Sequence, residues 1–257
     1  MNKRSQVTIF IIIGLLIVVL VALLVIFMTD FGENIIPNNE INPNSFLTTC
    51  LEEEVKNVVS LMSNQGGYIN PELKIRFQFE GETPNDIGYL CYNQNYYSPC
   101  INQEPMLINH LKEEIKEEIK EDVERCFDNL VQSKNDEGYI VDANYQDFGI
   151  ELTRDKISLS IEGRITLTKT EKSSKIEKFK INFETKLYDL AIVSQEILTQ
   201  SARFCAFSNQ GFMILYPQYK ITKFETGEMT TIYTIEHKKT QERFRFAIRS
   251  CVIPPAF

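Results

Sequence analysis

The chain has 257 residues, with 35 acidic side chains against 27 basic ones, no tryptophan and two histidines. The net charge of −8, close to −10 once Lys3 and Arg4 are set aside, argues against a nucleic-acid binder, whose surface must be basic to meet phosphates. His110 and His237 are the only imidazoles available to a Ser-His-Asp or Cys-His mechanism, and both read as ordinary surface or core histidines.

From Val7 to Met28 there are 22 residues without a charge, and Thr8 alone is polar. As a helix this run is roughly 33 Å long, enough to cross a hydrocarbon core of about 30 Å. A secretory signal has a shorter apolar core and a small-residue cleavage site. The exit here reads Ile26-Phe27-Met28-Thr29-Asp30. Residues 7–28 are therefore expected as a permanent transmembrane helix whose partner is the lipid bilayer. Lys3 and Arg4 precede it, and Asp30 and Glu33 follow it. The positive-inside rule makes residues 1–6 a cytoplasmic tail and places the rest outside the cell membrane.

Residues 29–44, rich in Asn and Pro, are expected as a linker. No later stretch approaches 18 apolar residues, so the remainder is an ectodomain. Its expected fold class is α+β: about three helices against antiparallel β-sheet, stapled by disulfides. The expected division is a helical part over 45–147, carrying a stapled loop, and a sheet-rich part over 148–257.

A first helix is expected to begin near Ser45 or Thr49, because Thr49 and Glu52 have capping-box spacing. Leu47, Leu51, Val55, Val58 and Met62 form its buried stripe. Gly66-Gly67 ends it. In "PELKIRFQFE", Leu73, Ile75, Phe77 and Phe79 alternate with polar residues, as in a strand with one wet face. "GETPNDIGYLCYNQNYYSPC" reads as a loop. A second helix is expected through "PMLINHLKEEIKEEIKEDVERCFDNLVQ", with Ile108, Leu111, Ile115, Ile119, Val123, Cys126 and Leu130 inward. Its many carboxylates read as a solvated face, since no turn gathers them as a calcium loop would.

From Phe148 the period becomes two: "FGIEL", "KISLSIEGRITLT" and "KIEKFKINFET", with "EKSS" as a turn. A phase shift between Ile176 and Phe179 marks a bulge. A third helix is expected over about Tyr188–Phe207, and three strands follow. "SNQGGYINPELKI" from Ser63 and "SNQGFMILYPQYKI" from Ser208 resemble one another as two helix-to-strand units.

All six cysteines follow the apolar run, as expected for disulfides in an exported domain. The expected pairs are Cys91–Cys100 as a local staple, Cys50–Cys126 between inner helix faces, and Cys205–Cys251 between the third helix and the last strand. No spacing resembles a zinc site. No catalytic, phosphate-binding or dinucleotide motif is present, so no metal and no cofactor is expected. The crowded Tyr89, Tyr92, Tyr96 and Tyr97 make the stapled loop a candidate binding surface, because tyrosine offers amphipathic area at low entropic cost.

"KRSQVTIFIIIG" resembles the amino end of single-span archaeal membrane proteins and the class III signal of archaeal pilin-like proteins. That likeness implies a processing site between Ser5 and Gln6. Ser5 stands where glycine is usual, and Phe10 where filament subunits often carry glutamate. "CLEEEVKNVVSLMSNQGGYI" with "LKEEIKEDVERCFDNL" resembles uncharacterised membrane-anchored surface proteins of small-genome archaea, in which one helix starts at a cysteine and a second ends at one. This supports Cys50–Cys126. The expectation is a non-catalytic structural or interaction protein of the cell surface, with protein partners there and an open oligomeric state. The alternatives are a pilin-like filament subunit processed before Gln6 and a surface hydrolase using paired carboxylates.

Overall fold

The computed structural model describes residues 14–20, 42–95, 97–170, 172–227 and 229–250. The chain divides into two compact units, Met1–Ile41 and Asn42–Phe257. In the first, residues 14–20 are helical (α1). Most of the expected span 7–28, Ser5 and Gln6 lie outside the described residues. Among the described residues no helix is long and apolar enough to cross a membrane.

The second unit is α+β. Helix α2 (Pro43–Asn64) starts earlier than the Thr49 capping box suggests. Asn42 is the cap: its side chain accepts from the Asn44 amide, and Pro43 takes the first helical turn, where its missing N–H costs nothing. The helix therefore takes Pro43 and Asn44 from the expected linker. Its stripe is as expected, with Leu47, Leu51, Val55, Val58 and Met62 all buried. At the far end Gly67 adopts φ +91°, and a Cβ there would meet Leu111 at 2.8 Å, so only glycine fits.

Strand β1 (Lys74–Phe77) pairs antiparallel with β2 (Asn85–Tyr92). The second strand corrects the expected loop. Its run Ile87–Cys91 is buried without alternation, as befits a strand covered on both faces, and its surrounding Pro, Asn and Gly hide it among turn formers. The short β3 (Ile101–Asn102) also pairs with it.

The second expected helix is two: α3 (Leu107–Glu118) and α4 (Lys120–Asp136), with Ile119 at φ −92°, ψ 4° between them. The bend lets α3 pack on α5 while α4 lies along α2. It also makes Leu107, not Ile108, the first buried seam position.

A long antiparallel meander follows: β4 (Ile140–Thr153), β5 (Lys156–Lys169) and β6 (Lys172–Glu184). The first strand starts earlier than Phe148: Val141, Ala143 and Tyr145 are half-buried between exposed neighbours, and a register shift between Tyr145 and Asp147 breaks the phase before Phe148. Ser173 and Ser174 belong to β6 rather than to a turn, since Lys169 pairs with Lys172. The expected bulge is present: Ile161 faces Phe179, the next pair is Arg164 with Glu177, and Lys178 sits at φ 61°. Gly163 serves the same bulge, because a Cβ there would meet the Asn144 carbonyl at 2.9 Å.

Helix α5 (Leu187–Phe204) ends at Cys205 in the left-handed conformation. Ser208 then starts a new short helix, α6 (Asn209–Leu215), by accepting from the Gly211 amide. The second "SNQG" is therefore a helix start, not a helix end, which removes half of the apparent repeat. Strands β7 (Tyr219–Glu225), β8 (Thr231–His237) and β9 (Arg243–Arg249) complete a six-stranded sheet of order β1-β2-β9-β8-β7, in which only β2 and β9 are parallel. One continuous core joins α2, the α3–α4 seam, the inner face of the meander, α5 and this sheet.

Cys50–Cys126 and Cys91–Cys100 are bonded as expected. Cys205 is also disulfide-bonded; Cys251, its expected partner, lies outside the described residues. The Cys50–Cys126 bond closes a separation of 76 residues against 9 for Cys91–Cys100, so it restrains the unfolded chain more. Paired alanine replacement should cost about 4 kcal/mol at Cys50 and Cys126 and about 3 kcal/mol at Cys91 and Cys100. Urea denaturation of the two double variants without reductant checks the order.

Candidate functional site

Helix α2, the ends of β5 and β6, the first turn of α5 and the β8–β9 turn enclose a cleft of about 770 Å³. Val55 and Val59 of α2, Ile157 of β5, Phe183 of β6 and Leu187 and Leu190 of α5 supply its apolar surface. Lys56, Ser60, Thr83, Asn85, Gln241 and Arg243 supply polar groups. An apolar base with a few placed donors and acceptors is the usual form of a ligand or peptide site.

Two carboxylates build the walls. Glu242, between β8 and β9, accepts from the Thr185 hydroxyl at 2.6 Å and from the Lys186 amide at 2.7 Å. Thr185 Oγ1 in turn accepts from the Leu187 amide at 3.1 Å. The cap amide of α5 is thus held from another element and its first amide by the neighbouring Thr185 hydroxyl, with a negative charge at the positive end of the helix.

Glu82 lies in the loop between β1 and β2. It receives Arg243 at 2.7 Å and Arg245 at 2.7 and 3.1 Å. Arg245 is only 3% exposed. Its Nε donates to Thr234 Oγ1 at 3.1 Å, and its guanidinium lies 4.1 Å from the Phe79 ring. The Arg245 hydrogen bond, ahead of the charges, holds the Glu82 carboxyl below the usual carboxylate range. Phe77 and Phe79 meet Phe224 of β7 at 4.9 and 5.8 Å. Strands β1 and β7 end the same strand order, and four steps of about 4.8 Å would separate them in a flat sheet. The β1–β2 hairpin therefore folds across one sheet face, and Glu82 latches it there.

Glu82 and Glu242 are thus both committed, to cations in one case and to a hydroxyl and an amide in the other. Among the described residues no group of three or more His, Cys, Asp or Glu side chains is placed to hold a metal ion.

Of the tyrosines expected to form one binding surface, the three described ones differ in burial. Tyr89 is 7% exposed, hydrogen-bonds to Thr230 Oγ1 at 2.8 Å and belongs to a small second core with Ile87, Ile232 and Ala247. That corrects its assignment to a contact surface: it sits on the central β2, not on a loop. Tyr92 is half-buried, with its ring 5.0 Å from that of Tyr89. Tyr97 is 71% exposed, and Tyr96 lies outside the described residues.

His237 closes a local turn with Thr240. His110 lies against Tyr68, with ring centroids 4.5 Å apart. Burial, then the accepting Glu104 carboxylate 2.8 Å away, raises the Tyr68 hydroxyl far above its usual range. The sequence reading missed Glu82, Arg243, Arg245 and Glu242. The alternation Arg243-Phe244-Arg245-Phe246 was the one available signal, since it puts two arginines on one strand face. No family model, curated protein or solved structure matches the chain.

Removing the Glu82 charge leaves the Arg245 guanidinium buried without a counter-charge. Glu82→Gln should therefore cost about 3 kcal/mol in urea denaturation at neutral pH. A carboxyl held low in the folded state stabilises it fully above the unfolded value, near 4.5, and loses that contribution as pH falls through its lower folded value. The gap between wild type and Glu82→Gln should accordingly shrink as pH drops below about 4.5, measured as urea midpoints across pH.

Proposed function

We propose that the chain is a membrane-anchored interaction protein of the cell surface. Residues 7–28 cross the bilayer with the amino end inside, and the unit from Asn42 onward binds a protein partner through the α2–α5 cleft. The observation that carries this reading is the disulfide bonding of Cys50, Cys126, Cys91 and Cys100 in a unit preceded by an uncharged run of spanning length. Disulfides persist in oxidising compartments, and a 22-residue uncharged run just before the unit is the means of holding it at one. The likeness of "KRSQVTIFIIIG" to single-span archaeal surface proteins agrees with it.

The cleft replaces the tyrosine loop as the contact site, because it is concave and ringed by polar groups, whereas Tyr89 is buried. Ser60 stands on its α2 wall and is solvent-exposed. Ser60→Trp should fill the cleft and abolish crosslinking to the surface partner without lowering Tm. Retained crosslinking would remove the cleft from the reading. The anchor has its own check: the protein should stay with membranes through alkaline carbonate extraction and keep its start at Met1 by mass spectrometry. A mature start at Gln6 would favour the filament subunit instead.

A further inference from the structure

Helix α6 exposes what a water-facing helix hides. Ile214 is 79% and Leu215 73% exposed, with Tyr216 at 46% and Phe204, just before Cys205, at 50%. The helix is not loosely held. Phe212 and Met213 pack against the main core, and the Phe212 ring lies 5.7 Å from Phe207 and 4.6 Å from Tyr216. Two fixed side chains thus aim the aliphatic pair outward.

The charge around it is as unusual as the apolarity. Residues 197–224 contain no Asp or Glu, in a chain with 35 of them. Arg203 stacks over Phe204 at 5.0 Å. The Lys238 ammonium donates to the Pro217 carbonyl at 2.6 Å, which brings a cation beside the end of α6. Lys220 and Lys223 are matched by carboxylates, Glu236 across the strand pair and Glu225 respectively, and add no net charge. An aliphatic tip with Tyr216 and the Lys238 cation beside it, in an acid-free stretch that also holds Arg203, has the composition of a segment resting in a lipid headgroup layer. A carboxylate there would lose its hydration and meet anionic lipid; an arginine or lysine would meet phosphate.

We propose that α6 is a second membrane contact: Ile214 and Leu215 insert into the outer face of the bilayer that residues 7–28 cross, with Arg203 and Lys238 on lipid phosphates. The inference rests on the anchored reading. Residues 29–41 can span roughly 40 Å at about 3.3 Å per residue, about the diameter of a folded unit of this size, so the tether lets α6 reach lipid. Such a contact fixes which face of the domain looks away from the cell.

The absence of tryptophan allows a direct test. Full-length protein carrying Leu215→Trp, Leu16→Trp or Ile140→Trp is reconstituted in phosphatidylcholine–phosphatidylglycerol vesicles with or without brominated acyl chains. Bromine should lower emission roughly twofold or more in Leu16→Trp and Leu215→Trp, whose sites reach the acyl region, and leave Ile140→Trp unchanged. Quenching in Leu16→Trp but not in Leu215→Trp overturns the α6 contact and keeps the anchor. Quenching in neither overturns both. A blue-shifted but unquenched Leu215→Trp signal means that α6 packs on a second copy, and it overturns the lipid contact. Equal quenching in Leu215→Trp and Ile140→Trp also overturns it, because no face is then preferred.

Discussion

The parallel pairing of β2 with β9 holds the unit from Asn42 onward together. Tyr89 faces Ala247 and Tyr92 faces Arg249, so two short segments from opposite ends of the unit lie side by side. Everything that β2 carries depends on this. The Cys91–Cys100 staple, β1 and β3 all hang from β2, and the Glu82 latch closes the hairpin over the same sheet. The Cys100 amide also donates to Ser250 Oγ just beyond β9, a further tie across the junction. Without the pairing, Ile87 and Leu90 would lose their cover and Arg245 its carboxylate.

The cleft follows from that junction. Its walls come from α2, the meander, the start of α5 and the sheet that the β2–β9 pairing completes. Glu242 and Glu82 act on opposite sides of it. One fixes the first turn of α5, and the other fixes the hairpin. Both work as acceptors for groups that would otherwise be buried without partners, which is a positional role rather than a chemical one.

Much of the architecture was legible because it is local. The α2 stripe, the alternation in β5 and β6, and the bulge near Lys178 each declare themselves within a dozen residues. The cysteine pairs followed from helix faces and short spacing. What escaped was non-local. Strand β2 reads as a loop because its evidence lies in β9, far along the chain, and because a strand buried on both faces shows no alternation. Tyr89 was misplaced for the same reason. The Glu82–Arg245 pair spans 163 residues, and no spacing rule connects them. The break at Ile119 leaves no mark in composition, since Ile115, Ile119 and Val123 continue one buried seam through it.

The same strand pairing sets a timetable for biosynthesis. During synthesis the residues of β2 emerge long before those of their partner β9. For most of translation β2 has no parallel neighbour, and its apolar run must wait in a hairpin with β1. The nine-residue Cys91–Cys100 bridge can close long before β9 is made, because both of its ends are already present. It thereby holds the nascent strand in shape until the final segment arrives. Completion of the sheet waits for β9, and a chain truncated before Arg243 has no route to the native body.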